Sequence, residues 1–104
     1  MANYLLVYKG GSMAQTDEQR NQAMAAWGKW FGELGEAVVD GGNPFGPSAS
    51  VGSDGSVKSG AASGLTGYSI LKADTLDRAS QLAKGCPIVT DGGSIEVYET
   101  FNAM

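Results

Sequence analysis

Apolar positions recur along this chain with two periods, and the changes of period divide it into elements. Asn3 to Lys9 holds the run Tyr4, Leu5, Leu6, Val7, Tyr8 and stops at Gly10-Gly11, the mark of a β-strand. The run is nearly continuous, so the strand is expected to be central and covered on both faces. The period then lengthens. Ala23, Trp27, Trp30, Phe31, Leu34 and Val38 fall on one helical stripe. Thr16 is the expected N-cap, Gln19 completes a capping-box pattern, and Asp17 and Glu18 favour the positive end of the dipole. Gly28, Gly32 and Gly35 lie along the edge of the stripe. Each costs a helix about 1 kcal/mol relative to alanine. A close approach is therefore expected there, to the sheet or to a partner subunit; the alternative is room for a ligand beside Trp27 and Trp30.

From Gly41 to Gly64 the pattern lapses into Gly, Ser, Asn and Pro. Asn43-Pro44 and Gly46-Pro47 are turn signals. Asp54-Gly55, between Val51 and Val57, suits the type I′ tip of a weak hairpin. Residues 43–64 therefore read as either an ordered hairpin or a mobile flap, and a long polar segment of this kind is usually functional or disordered. Tyr68 to Ala73 reads as a second central strand. Asp74 is the expected cap of a helix from Thr75 to Lys84, with Leu76, Ala79, Leu82 and Ala83 facing inward. Gly85 and Cys86-Pro87 stop it. After the Asp91-Gly92-Gly93 turn, Ser94 to Phe101 forms the last strand. There Ile95, Val97 and Phe101 share one face, and Glu96, Tyr98 and Thr100 the other.

The order is β, α, β or hairpin, β, α, β. This is the α+β ferredoxin-like plait (βαββαβ), an antiparallel sheet with two helices on one face. The other face of the sheet is left bare and apolar, which predicts a homodimer paired through it.

At 104 residues the chain fits a single domain spanning 1–104. A net charge of -4 with no basic stripe argues against nucleic acid and anionic membranes. One cysteine, Cys86, excludes an internal disulfide and suits the cytoplasm. The apolar run at the amino end is too short for a signal peptide, and no segment is apolar enough to span a bilayer.

Four stretches resemble the YCII-related family, which includes proteins with a DGPF-like domain. They are Tyr4-Leu-Leu-Val-Tyr8, Leu34 through Pro44, Gly67-Tyr-Ser-Ile-Leu71 with the helix after it, and Gly85-Cys-Pro-Ile88 followed by Gly92 through Val97. The resemblance implies a dimeric α/β-barrel with a cleft near the helix exit and the loop after the second helix. Some members carry a His-Asp pair in that cleft. Here Met24 stands near the histidine position, Cys86 at the aspartate position, and Tyr98 where an arginine is frequent. Ser59 through Gly64 replaces the Asp-Gly-Pro-Phe signature.

With no histidine in the chain, the usual neutral-pH general base is missing. Glu99 is a catalytic candidate because alternation puts it on the face of Ile95 and Val97; against that, a bulge or fraying would free it to solvent. Cys86 is the other candidate, although the carboxyl end of a helix is the wrong pole for a thiolate. Asp40 and Asp91 read as turn residues. The paired glycines match no phosphate-binding spacing, no ligand set for a metal is apparent, and no cofactor is expected. Tyr8, Trp27, Asn43, Phe45 and Tyr68 are the candidate small-molecule contacts near the cleft, being also what a core or a dimer interface uses. The leading expectation is a small-molecule-binding homodimer. The alternatives are an enzyme acting on a small aromatic or carbonyl metabolite through tyrosine, carboxylate or Cys86, and a purely structural dimerisation module.

Overall fold

The computed structural model describes residues 1–11 and 16–102. Its elements, in chain order, are β1 (Ala2–Lys9), α1 (Asp17–Leu34), β2 (Val38–Asp40), β3 (Ala49–Val51), β4 (Val57–Ser59), β5 (Leu65–Ala73), α2 (Leu76–Ala83), α3 (Pro87–Thr90) and β6 (Ser94–Thr100). The main sheet runs β2-β5-β1-β6 with every pair antiparallel. That is the strand order of the ferredoxin-like plait. The apolar run of β1 is thus central, as expected.

Register sorts the side chains of the sheet. Tyr4, Leu6 and Tyr8 of β1 face the helices, and so do Ser69, Leu71 and Ala73 of β5. They join Trp30 of α1 with Ala79 and Ala83 of α2 in one core cluster, into which Cys86 is also packed. Trp30 ties the two helices together: its indole nitrogen donates to the Leu82 carbonyl oxygen at 3.1 Å. On the opposite face, Leu5 pairs with Ile70 and Tyr98, and Val7 with Tyr68 and Glu96. Among the described residues no helix covers that second face, although Val7 at its centre is already buried within the single chain.

Several local expectations change. Val38 continues the helical stripe in sequence, but the helix ends at Leu34. Gly35 takes φ 56° there and returns its N–H to the Phe31 carbonyl oxygen. A 3-10 turn follows, and Val38 enters β2, the plait's second strand. The hairpin therefore does not supply that strand. Instead β3 and β4 form a separate ribbon, pairing Ala49 with Ser59 and Val51 with Val57. Its tip is not type I′, because Asp54 keeps a negative φ and only Gly55 is positive. The Gly55 N–H closes a turn onto the Gly52 carbonyl oxygen, and the Asp54 carboxylate accepts from the Ser56 N–H. Thr75, not Asp74, caps α2, because it has the extended backbone that lets its hydroxyl accept from the Arg78 N–H. Leu76 begins that helix half exposed instead of inward.

The glycines of α1 also differ from expectation. A Cβ on Gly28 or Gly32 would meet nothing within 4 Å. One residue past Trp27 and Phe31 turns each of them by about 100° onto the solvent side. Neither the sheet nor a ligand groove packs against them. Gly28→Ala and Gly32→Ala are expected to stabilise the chain by about 0.5–1 kcal/mol each, since each replaces a helical glycine in open space. Thermal melts will read this as a higher midpoint. Destabilisation instead would mean that a second copy packs against this side of α1.

The radius of gyration is 15.2 Å, against about 13 Å for a compact domain of this length. The slab is 19 Å thin along its shortest axis.

Candidate functional site

The chain leaves one end of the sheet open where β1 runs out at Lys9 and β2 turns at Gly41. A groove of about 1200 Å³ lies there, with α1 on one side and the 41–44 and 66–68 segments on the other. Tyr8, Trp27 and Phe31 form its aromatic floor. Asn43 stands across from them, and α3 closes one end through Ile88.

Each wall has a local cause. Trp27 and Phe31 are four residues apart on α1, so they share one face, with ring centroids 5.8 Å apart and planes tilted by 34°. Tyr8 meets the Trp27 ring edge-on at 5.3 Å, the arrangement that ring quadrupoles favour. Behind Tyr8 lies a buried relay. Its hydroxyl donates to Ser69 Oγ at 2.6 Å, and Ser69 Oγ donates to the Gly41 carbonyl oxygen at 2.7 Å. The relay links β1, β5 and the turn after β2 at the back of the groove. Burial raises the Tyr8 hydroxyl well above the ordinary phenol value, so it stays protonated.

Gly42 completes the turn with φ 74°, its N–H held by Asp40 Oδ1 at 2.8 Å. The other Asp40 oxygen accepts from the Tyr68 hydroxyl at 3.3 Å. Asp40 thus serves its turn, and its charge is the main reason the Tyr68 pKa is raised.

Of the residues singled out in the sequence, Tyr8, Trp27, Asn43 and Tyr68 border the groove. Tyr68 does so without its ring. It sits between Gly67 and Ser69, which face the helices, so its side chain projects to the opposite sheet face. There it stacks with Phe45 at 6.0 Å and 18°. Phe45 is not part of the groove.

Glu99 is also elsewhere, opposite Tyr4 in an unbroken β6 register and exposed. Neither bulge nor fraying is involved; β6 is the edge strand of the sheet, and Glu99 is open to solvent there. Cys86 is fully buried behind Tyr8. It also begins α3, a one-turn helix that the Gly-Cys-Pro stop signal conceals, because the same proline that ends α2 suits the first turn of the next helix. Burial still prevails, and the thiol is pushed up to about 11, with the Ile88 backbone and the Tyr8 hydroxyl offsetting part of the shift. Glu99 and Cys86 are not brought together at any site.

A thiol whose pKa is raised on folding favours the folded state below its unfolded value, and that stability is lost as pH rises from about 9 through about 11. Urea midpoints of the wild type should fall more steeply across that window than those of Cys86→Ala. Equal slopes in the two proteins would show that Cys86 is not held protonated by the fold.

The sequence did not mark Ser69, Arg20 or Ile88 as site residues, and it read Gly42 and Asp91 only as turn residues. Ser69 is a small polar residue in an apolar strand, which is a signal only once β5 is registered against β1. Among the described residues no group of three His, Cys, Asp or Glu could hold a metal ion, and no helix is long and apolar enough to cross a membrane. The family model of the YCII-related domain matches residues 1–103. No curated protein and no solved structure matches the chain.

Proposed function

The chain belongs to the YCII-related domain family, and from that premise we propose that it is a homodimeric small-molecule-binding protein of the cytoplasm. The observation that carries the reading is the groove, where Tyr8, Trp27 and Asn43 converge from a strand, a helix and a turn. Aromatic walls with a few placed polar groups are what a small ligand needs. Binding without catalysis accounts for the rest. The chain has no histidine, and its protonated thiol and its exposed Glu99 lie outside the groove.

The second copy covers the open sheet face. Leu5, Val7 and Ile70 are its apolar centre, flanked by Tyr68 and Tyr98. Lys72 and Glu96 occupy opposite corners of the patch, since Asn3 pairs with Lys72 and Val7 with Glu96. A twofold pairing with crossed strands sets each Lys72 against the Glu96 of the other copy, a self-complementary arrangement. Sedimentation at micromolar concentration is expected to give twice the 10.7 kDa chain mass. A monomer at that concentration would defeat the dimer. For the groove, amide shifts in the labelled protein during a fragment titration should move at residues 41–43 and 66–68; shifts scattered away from them would defeat the binding reading.

A further inference from the structure

We propose that the first half of α1, residues 17–26, is a lid that swings over the groove on a joint at Gly28. The proposal rests on the small-molecule reading of the groove and adds the element that encloses the ligand.

The two halves of α1 are unlike. Trp27, Trp30, Phe31 and Leu34 carry the second half into the core, where the Trp30 indole nitrogen is tied to the Leu82 carbonyl oxygen. Residues 17–26 are all exposed, and none of them belongs to the core cluster. Helices in proteins owe most of their stability to packing, so this stretch keeps its form by local means. The Thr16 hydroxyl accepts from the Gln19 N–H, and Arg20 pairs with Asp17. Ala23, Met24, Ala25 and Ala26 are strong helix formers. The result is a stiff rod anchored to the core at one end.

Gly28 stands where the rod meets the anchored half. A Cβ there would meet nothing within 4 Å, so packing does not require glycine. What glycine supplies is backbone freedom, at a cost in helix stability. Gly32 is equally open, but it lies between Phe31 and Leu34, both anchored, and cannot serve as a joint. Trp27 adjoins the pivot and follows the lid only by a small tilt.

The groove gives the motion its use. At about 1200 Å³ it exceeds the roughly 300–1000 Å³ that encloses a small ligand. Gln22, Ala23, Met24 and Ala26 of the lid line it. From Glu18 to Gly28 the lever is about 15 Å long, so a bend of about 20° carries its tip about 5 Å. Met24 is 67% exposed, and closure would take this adaptable apolar side chain out of water. Bending gives up backbone hydrogen bonds that water can replace. The two terms are of similar size, so open and closed positions are both populated without a ligand.

The test measures distances between paired spin labels in the full chain, diluted with unlabelled chain so that one copy of a dimer carries labels. Cys86 is fully buried, so the labels go to introduced cysteines. Glu18→Cys marks the lid, Glu33→Cys the anchored half, and Gly46→Cys the segment after the groove wall; all three positions are exposed. The Glu33–Gly46 pair is expected to give a single narrow distance. The Glu18–Gly46 pair should give two, up to about 5 Å apart. Gly28→Ala should cut the population of the shorter one at least about threefold, leave the Glu33–Gly46 pair unchanged, and raise the melting midpoint. One narrow distance for the Glu18–Gly46 pair would overturn the lid. So would two distances in a ratio that Gly28→Ala leaves unchanged. The small-molecule reading stands or falls separately, on the fragment titration at residues 41–43 and 66–68.

Discussion

Gly42→Ala is expected to destabilise the protein by more than about 3 kcal/mol and to abolish binding in the groove. Gly42 holds φ 74°, where a Cβ itself costs about 1–2 kcal/mol. The added Cβ would also fall on the Tyr68 carbonyl group, which is backbone and cannot swing away. Relief requires moving either β5 or the turn after β2, and both are walls of the groove. Gly46→Ala is the matched control, since a Cβ there meets nothing within 4 Å and its φ is not positive. Urea unfolding should separate the two variants widely. A Gly42→Ala midpoint equal to that of Gly46→Ala would mean that the turn is looser than described.

Ser69→Ala should cost about 1–3 kcal/mol although it removes a single oxygen. Ser69 is fully buried; it accepts from Tyr8 and donates to Gly41. Its loss leaves the Gly41 carbonyl oxygen without the Ser69 donor and the Tyr8 hydroxyl with only the Cys86 sulfur beside it, and an unpaired buried polar group costs more than its hydrogen bond contributed. Tyr8→Phe is expected to be milder, because Ser69 keeps Gly41. In the double variant the penalties should fall short of their sum, since one variant already removes what the other would break. Strict additivity of the measured unfolding free energies would dissolve the relay into independent contacts. Because Gly41 borders the groove, Ser69→Ala should also weaken ligand binding without touching the ligand.

What local pattern determines was legible in the sequence. The continuous run of β1, the Thr16 cap and the stripe of α1, and the alternation of β6 each need only neighbours within a few residues, and so does the fold order they imply. What depends on pairing was not. Val38 sits four residues past Leu34 and reads as helix until Gly35 takes a positive φ and breaks the stripe. Ser69 and Tyr8 are 61 residues apart, so their bond exists only once the strands are registered. The same register decides which way Tyr68 points. With Gly67 opposite Tyr8, the Tyr68 ring must take the far face and carry Phe45 with it, which removes two aromatic residues from the expected cleft. The groove itself was legible in part, because the sequence marks Tyr8 at the end of β1, Trp27 on the stripe of α1 and Asn43 in the turn that follows β2.

The most direct test of the small-molecule reading is to soak crystals of the protein with a library of small fragments and inspect the difference density. The account predicts a fragment in the groove beside Tyr8 and Trp27, with the Gly41–Asn43 turn alongside. Fragments that bind only on the open sheet face, or that leave the groove empty at saturating concentration, would contradict it.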